Sequence, residues 1–260
     1  MEPHKHLLDL IVKSVERVHE RYVLLKLGAD EPLPAMLPGQ FTEVRIDGSP
    51  STMLRRPISI HYVDRELNEL WLLVAVVGDG TRRLSTLTRG DRLNCLLPLG
   101  RPFSLENIEG KRILLVGGGV GVAPLLWTGA RIKELGGEPT FLLGARSAVD
   151  LLQLDEFRQH GRVLTTTEDG TAGERGFVTQ HPVLQTEHFD LLMTCGPTPM
   201  MKAVAAYARR TAIPCEVSLE NMMACGLGAC LCCVEKTVRG NLCVCKDGPV
   251  FNINELLWQD

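Results

Sequence analysis

The cysteines near the C-terminus have the residue type and spacing needed to hold a metal. Six of the nine cysteines lie within 21 consecutive residues. Cys225, Cys230 and Cys233 show the C-x4-C-x2-C spacing of a plant-type [2Fe–2S] site, which takes a fourth cysteine later in the chain. Gly226 and Gly228 lie between the first two cysteines, and glycine permits the tight turns that aim backbone N–H groups at sulfur. The stretch therefore predicts a [2Fe–2S] loop.

The residues by themselves leave alternatives open at this loop. We take Cys245 over Cys243 as the fourth ligand, although spacing alone does not decide between them. Cys232 is also surplus, and we expect it to point away from the metal because it adjoins a ligand. Cys230 and Cys233 with the later pair could also form a structural zinc knuckle, which we favour less than the cluster. A disulfide cluster is disfavoured because nothing in the sequence suggests export.

Composition sets the outer limits of function. A chain of 260 residues can hold two domains and a small appendix, and 45% apolar with 23% charged residues is ordinary for a globular protein. A net charge of −3 and the lack of a basic stripe argue against nucleic acid as a partner. The first residues do not resemble a signal peptide, and the longest apolar run, Leu70–Val77, is too short to span a bilayer. We expect a cytoplasmic protein with reduced cysteines and no membrane span.

Residues 1–105 alternate in the manner of β-strands. Short apolar segments separated by Gly and Pro turns predict an antiparallel β barrel. The predicted strands are Leu10–Val18, Tyr22–Leu27, Phe41–Ile46, Leu70–Val77 and Arg92–Leu97.

Two predicted loops in this region suit a flavin cofactor. In the run from Arg56 to Ser59, the arginine fork suits a pyrophosphate and the serine adds a hydroxyl, while Pro57 stiffens the backbone. In the run Gly78-Asp79-Gly80-Thr81, the glycines let backbone N–H groups approach an anion. Each loop alone is a common turn. Together, and ahead of a nucleotide domain, they predict a flavin site.

Residues 106–213 change to alternating strands and helices. A predicted strand, Arg112–Val116, is followed by a glycine-rich turn and a predicted helix, Leu125–Leu135. This order of strand, turn and helix is the context that a phosphate-binding loop requires. The glycines let the backbone close on a pyrophosphate. The turn contains Gly117, Gly118, Gly119 and Gly121, and it does not follow G-x-G-x-x-G throughout.

A second candidate stretch follows a later strand of this region. Cys195-Gly196-Pro197 comes directly after the predicted strand Asp190–Thr194, and ligands of α/β sheets lie at the carboxyl ends of strands. The stretch is therefore expected beside the glycine-rich turn, near a nicotinamide, although Cys195 by itself would also suit a buried core thiol. Arg146 follows another strand, and no acidic residue comes directly after it to accept a ribose hydroxyl, so NADP stays open beside NAD.

The order of these motifs resembles the ferredoxin–NAD(P) reductase superfamily, in which a flavin barrel precedes a nicotinamide domain. The ending Met223–Cys233, closed by Val244–Phe251, is similar to the electron-transfer subunits of dihydroorotate dehydrogenase B. The resemblance covers essentially the whole chain. It implies an FAD-binding β-barrel domain at residues 1–105, an NAD-binding α/β domain with a parallel sheet at 106–213 and a [2Fe–2S] domain at 214–260.

The resemblance also implies site residues and favours NAD over NADP. Cys232 and Cys243 are departures from the family pattern that leave the fourth cluster ligand open. The implied FAD-binding residues are Arg56, Pro57, Ile58, Ser59, Leu73, Val74, Ala75, Gly80 and Thr81. The implied NAD-binding residues are Gly117, Gly118, Gly119, Gly121, Cys195, Gly196 and Pro197. The implied cluster ligands are Cys225, Cys230, Cys233 and Cys245.

These parts predict an electron relay and not a complete enzyme. The predicted path runs from a partner flavin to the cluster, to FAD and then to NAD⁺, because FAD exchanges both single electrons and hydride. No catalytic acid–base set is recognisable in the sequence. The resemblance implies a partner, the FMN-containing catalytic subunit of dihydroorotate dehydrogenase, in a heterotetramer with two copies of each chain that serves pyrimidine synthesis.

Three other functions remain as alternatives from the sequence. A related flavin and iron–sulfur subunit of a ferredoxin–NADP oxidoreductase or a sulfide/sulfur reductase would carry nearly the same motifs. A zinc-stabilised binding module would have lost its flavin. A self-sufficient NAD(P)H–flavin reductase would not use its cysteine loop.

Overall fold

The computed structural model describes residues 4–258 and divides into two compact units. The first unit holds the chain up to Pro102 together with Asn221–Glu235 and Asn241–Pro249. The second holds Phe103–Glu220, Lys236–Gly240 and the residues from Val250 onward. The residues after 220 are thus shared between the two units. The domain boundaries at residues 105 and 213 stay a prediction.

An antiparallel sheet of seven strands forms the body of the first unit. In chain order its elements are β1 (His6–His19), β2 (Tyr22–Gly28), β3 (Phe41–Val44), β4 (Arg56–Ser59), β5 (Tyr62–Asp64), β6 (Glu69–Ala75), α1 (Asp79–Leu84) and β7 (Arg92–Leu99). The strands lie in the order β4-β3-β7-β1-β2-β6-β5. No ladder joins β4 to β5 within the described residues, so the sheet is a half-barrel. The predicted antiparallel fold of this region is confirmed.

Apolar side chains of the central strands hold this sheet together. Leu25 and Leu27 of β2 and Leu70 and Leu72 of β6 are fully buried. Burying a leucine side chain contributes roughly 1.5–3 kcal/mol relative to leaving it exposed. The sheet is therefore a firm frame for the loops at its ends.

Two stretches that the sequence predicted as loops are regular structure. Arg56–Ser59 is the edge strand β4, where Pro57 is tolerated because its missing N–H falls at the border of the sheet. The second glycine-rich stretch becomes helix α1, which begins at Asp79 directly after its N-cap, Gly78. In both cases the proline or glycine that suggested a loop belongs to a short strand or helix.

The second unit alternates strands and helices, as predicted. In chain order its elements are β8 (Arg112–Gly118), α2 (Ala123–Glu134), β9 (Glu138–Ala145), α3 (Leu154–His160), β10 (Arg162–Thr167), β11 (Glu174–Arg175), α4 (Val183–Thr186), β12 (Leu191–Cys195), α5 (Thr198–Thr211) and β13 (Cys215–Ser218). Short 3₁₀ turns lie at Gly119–Val122, Ala148–Asp150, Val178–Gln180 and, later in the chain, Ile253–Glu255.

The last elements of the chain complete both units. They are β14 (Val234–Thr237), β15 (Gly240–Cys243), α6 (Val244–Asp247) and β16 (Val250–Asn252). β14 and β15 form a two-stranded sheet, and β16 pairs antiparallel with β13. Among the described residues, no helix is long and apolar enough to cross a membrane.

The sheet of the second unit has its switch point at β8. The strand order is β11-β10-β9-β8-β12-β13-β16, with every pair parallel except β13 and β16. The chain first builds outward from β8 through β9 and then returns to place β12 on its other side. Ligands of doubly wound sheets bind at such a reversal, beyond the carboxyl ends of the strands. The glycine-rich turn after β8 lies at that point.

Candidate functional site

The cysteine loop aims backbone donors at its sulfur atoms. Gly226 and Gly228 have φ angles of +66° and +79°, the left-handed conformation that glycine adopts without a steric penalty. The turn they make lets Leu227 N–H donate to Cys225 Sγ at 3.3 Å, and Gly228 N–H donate to Cys245 Sγ at 3.1 Å. Such donors stabilise thiolates, which are the form of cysteine that binds metal.

The thiols of this loop differ in how readily they ionise. Burial opposes ionisation of Cys225, but hydrogen bonds from the Leu227 and Cys230 backbone, among others, lower its pKa from 9.0 to about 6. Burial, followed by its hydrogen bond with Cys233, raises the pKa of Cys245 to about 12. Cys245 therefore keeps its proton until a cation replaces it, which couples metal binding to proton release.

The four predicted ligands associate in two pairs. Cys225 interacts with the Cys230 side chain, and Cys245 interacts with the Cys233 side chain and donates its N–H to that sulfur at 3.4 Å. Between residues 4 and 258, no three His, Cys, Asp or Glu side chains converge on a single metal position. A [2Fe–2S] cluster takes two protein ligands on each of its two irons. Two thiol pairs in one glycine-lined loop fit that requirement.

The surplus cysteines lie in different surroundings. Cys232 is exposed, as is the proposed ligand Cys230, so the direction of its side chain stays a prediction. Cys243 is buried, and its sulfur lies 3.8 Å from the Gly228 carbonyl oxygen. Burial and the neighbouring Cys233 raise the pKa of Cys243. The hydrogen bonds that join Cys245 to Cys233 and Gly228 favour Cys245 as the fourth ligand, which stays a proposal.

The two predicted flavin loops meet in the first unit. A Cβ placed on Gly80 would lie 3.2 Å from Arg56 Nε and 3.0 Å from the methyl group of Thr52. The start of β4 and the start of α1 therefore lie side by side, and a side chain at Gly80 would crowd Arg56. All four residues of β4 are half-buried, so they can still contact a ligand. Thr52 was not found from the sequence, because nothing local marks it.

The remaining predicted flavin residues lie in β6 and in α1. Leu73 and Val74 are buried in the core, and Ala75 is half-buried. The ladder between β5 and β6 ends at Trp71, so within the described residues no strand pairs with Leu73–Ala75 on the side opposite β2. Thr81 uses its hydroxyl locally, accepting from Val77 and Gly78 N–H at 2.9 and 3.0 Å.

Arg56 gives the first testable prediction. Arg56→Gln removes the charge that suits the pyrophosphate and leaves a shorter, polar side chain. Because charge-assisted hydrogen bonds contribute about 1.5–3 kcal/mol, we expect FAD to bind roughly 10- to 100-fold more weakly. Quenching of flavin fluorescence on addition of FAD to the deflavinated chain measures this. Arg65→Gln, at an exposed arginine of the same unit, is the control. Equal FAD affinity in the two variants would remove Arg56 from the site.

In the second unit, the structure brings the glycine-rich turn against Cys195-Gly196-Pro197. Cys195 of β12 pairs with Gly117 of β8. A Cβ placed on Gly121 would lie only 2.3 Å from Gly196 Cα and 2.5 Å from the Cys195 carbonyl oxygen. A Cβ on Gly118 would lie 2.7 Å from Met200 Sδ. The glycines are thus required by close packing of backbone on backbone at the switch point.

Cys195 has an acidic neighbour that was not predicted from the sequence. Glu220 Oε1 lies 4.0 Å from Cys195 Sγ. Burial raises the pKa of both the Cys195 thiol and the Glu220 carboxyl. The surroundings at the end of β12 therefore disfavour the ionised form of both groups. Glu220 comes just after β13, a strand next to the switch point. That position is the one signal in the sequence that could have identified it.

A second acidic stretch lies next to Arg146. The N–H of Asp169, just after β10, donates to the Arg146 carbonyl oxygen at 3.2 Å. The side-chain hydroxyl and the N–H of Thr171 donate to the Asp169 carboxylate, and these bonds hold its pKa below the usual range. The sequence showed no acid directly after β9. The neighbouring strand supplies one beside the same turn.

Two family models match the part of the chain after residue 114. The model described as the iron–sulfur cluster binding domain of dihydroorotate dehydrogenase B matches residues 220–257. The model described as the oxidoreductase NAD-binding domain matches residues 115–206. The two matched segments contain the cysteine loop and the glycine-rich turn, respectively.

Two relatives are both named dihydroorotate dehydrogenase B (NAD(+)), electron transfer subunit. The relative from Shouchella clausii is 42% identical over 254 residues, which cover 95% of this chain and 96% of the relative. The relative from Bacillus velezensis is 38% identical over 251 residues, which cover 95% and 97%. A solved chain described in work on NADH-dependent reduced ferredoxin-NADP oxidoreductase has a TM-score of 0.85 at 33% identity, covering 96% of this chain and 90% of its own. The predicted fold class is confirmed.

Proposed function

The chain belongs to the family of electron transfer subunits of dihydroorotate dehydrogenase B, and on that basis we propose that it passes electrons from dihydroorotate, oxidised on a partner chain, to NAD⁺. The observation that carries this proposal is the glycine-lined loop with two thiol pairs. The same chain also has the strand β4, whose arginine suits a flavin pyrophosphate, and a glycine-rich turn that suits a nucleotide. A nicotinamide exchanges hydride, a [2Fe–2S] cluster exchanges single electrons, and FAD does both.

The residues of the chain hold and orient these groups. Cys225, Cys230, Cys233 and Cys245 are the proposed cluster ligands, and their N–H donors favour thiolate. Arg56 is proposed to bind the FAD pyrophosphate, and Gly80 lies close beside its side chain. The turn from Gly117 to Gly121 is proposed to accept the NAD pyrophosphate. In this scheme the protein supplies orientation and exclusion of water, and the acid–base chemistry on dihydroorotate belongs to the partner.

The exposed side of the cysteine loop supports a partner protein there. Cys230 is exposed, and Leu227 and Leu231 are 45% and 64% exposed, so a large part of each leucine faces solvent. Apolar residues at the surface beside a redox centre suit a protein interface. We propose that the FMN-containing catalytic subunit covers this loop, in a heterotetramer of two copies each.

Leu231→Glu tests this surface. A charge at the centre of an apolar interface is desolvated without a partner, so we expect binding to the catalytic subunit to weaken roughly 10- to 100-fold. Biolayer interferometry between the two purified subunits measures the affinity. Val238→Glu, at a residue 62% exposed in another part of the chain, is the control. Equal affinities for the wild type and Leu231→Glu would move the interface away from the loop.

A reducing compartment also fits the cysteines. All nine cysteines of the chain are free thiols in the structure. Structural disulfides are rare in the cytosol and common in exported proteins. We propose the cytoplasm as the location, which fractionation of cells that express the chain would check.

One assay tests the function as a whole. The full chain is co-expressed with its partner, purified with its cofactors and assayed for reduction of NAD⁺ by dihydroorotate, with light scattering to give the subunit ratio. We expect turnover, iron and flavin in the complex. The structural match favours one alternative, a subunit of a ferredoxin–NADP oxidoreductase. Turnover with reduced ferredoxin and NADP⁺, and none with dihydroorotate, would establish that alternative and overturn the proposal.

A further inference from the structure

Glu43 is a buried carboxylic acid without hydrogen-bond partners. It lies in the middle of β3 and has no solvent exposure. Neither of its carboxyl oxygens has a hydrogen-bond partner in the structure. Buried polar groups are nearly always hydrogen-bonded, because leaving one unpaired costs about 1–3 kcal/mol, and more for a charged group. A glutamate in this position therefore calls for an explanation other than stability.

The carboxyl group lies against the cysteine loop. A Cβ placed on Gly226 would lie 2.6 Å from Glu43 Cγ and 3.1 Å from Glu43 Oε1. The Leu99 side chain packs at the same place, with its Cδ1 atom 3.1 Å from that Cβ position. Gly226 directly follows Cys225, so Glu43 lies immediately behind the backbone of the loop. Burial, opposed in part by Arg55, raises the pKa of Glu43 to about 7.

The nearby positive charges do not neutralise Glu43 by direct contact. Arg55 donates instead to the Glu43 carbonyl oxygen, the Asn94 carbonyl oxygen and Asn94 Oδ1. Arg56 donates to the carbonyl oxygens of its own neighbours, Leu54 and Arg55. On the adjacent strand, the residue paired with Glu43 is Pro57, which has no N–H to offer. The two arginines therefore act on Glu43 only through space, and the Glu43 charge also acts on Cys225 at the start of the loop.

We propose that Glu43 is a positioning residue that tunes the [2Fe–2S] cluster electrostatically, making the addition of an electron less favourable. A reduced cluster carries one more negative charge, and in a poorly screened interior a nearby carboxylate raises its energy. A cluster that holds its electron less tightly passes it on more readily. The proposal rests on the [2Fe–2S] assignment of the loop.

The test is the reduction potential of the cluster in the complete complex with its partner and cofactors. A redox titration followed by electron paramagnetic resonance compares the wild type with Glu43→Gln at an alkaline pH, in the range where the wild-type midpoint no longer changes with pH. We expect the ratio of reduced to oxidised cluster at the wild-type midpoint to rise roughly tenfold, which is about 59 mV for one electron. Glu43→Leu has no amide to donate to sulfur and is expected to shift the midpoint in the same direction. Glu66→Gln, at an exposed glutamate, should leave it unchanged.

The outcomes separate this inference from the function. Unchanged midpoints in both Glu43 variants, with iron retained, overturn the tuning role while the relay stands. Variants that keep FAD but lose iron identify Glu43 as a packing residue of the loop and also overturn it. A wild-type complex without the signal of a [2Fe–2S] cluster removes the assignment on which both conclusions rest.

Discussion

Replacing Cys245 with serine is expected to strip the cluster from the protein. Cys245 shares hydrogen bonds with Cys233 and Gly228, and serine keeps their geometry but is a poor ligand for iron. Because ligands and metal fold the loop together, we expect iron and acid-labile sulfide to fall roughly tenfold or more. Reduction of NAD⁺ by dihydroorotate should fall with them. Oxidation of NADH by a dye that takes electrons from FAD should persist.

Cys243→Ser is the matched control for this loss. Its sulfur is also buried and lies near the Gly228 carbonyl oxygen, so the two variants perturb the same small region. We expect Cys243→Ser to keep its iron, its sulfide and its activity. Loss of iron from Cys243→Ser alone would move the fourth ligand to that position. Zinc in place of iron and sulfide in the wild type would contradict the cluster itself.

The cluster loop was predictable because its signal is local. Three of its proposed ligands lie within nine residues, and the two glycines between them adopt the positive φ angles that the turn needs. The meeting of Gly121 with Gly196 was also foreseeable, although they are distant in sequence. Carboxyl ends of adjacent parallel strands meet at one edge, so each motif that follows a strand could be placed there.

Glu43 shows what the sequence could not reveal. The run Phe-Thr-Glu-Val is typical of a strand with a charged side chain facing water. Glu43 is buried only because a loop from the other end of the chain covers it at Gly226. Similarly, Cys215–Ser218 and Val250–Asn252 are too short to be recognised as strands from the sequence. They become strands by pairing at the edge of a sheet that other segments build, β13 with both β12 and β16.

Gly121→Ala is expected to slow the reduction of NAD⁺ strongly while leaving FAD and the cluster bound. The added Cβ would lie 2.3 Å from Gly196 Cα, and backbone on both sides leaves no flexible group to yield. The two turns must separate, and a misplacement of about 1 Å at a reacting site lowers rates roughly 100-fold. We expect NAD⁺ reduction to fall by that factor, with FAD and iron content unchanged. Steady-state kinetics with NAD⁺, beside cofactor analysis of the same preparation, measures this.

Gly129→Ala separates that effect from simple loss of stability. A Cβ on Gly129 would lie 2.1 Å from the tip of the Phe141 ring, in the same unit but in the middle of α2. Overpacking of this kind costs about 1–3 kcal/mol, so both variants should melt at a lower temperature than the wild type. Only Gly121→Ala should raise the KM for NAD⁺ or lower kcat, because only its clash lies where the strand order reverses. If Gly129→Ala loses NAD⁺ reduction to the same extent, the defect is one of folding, and the glycine-rich turn loses its place as the dinucleotide site.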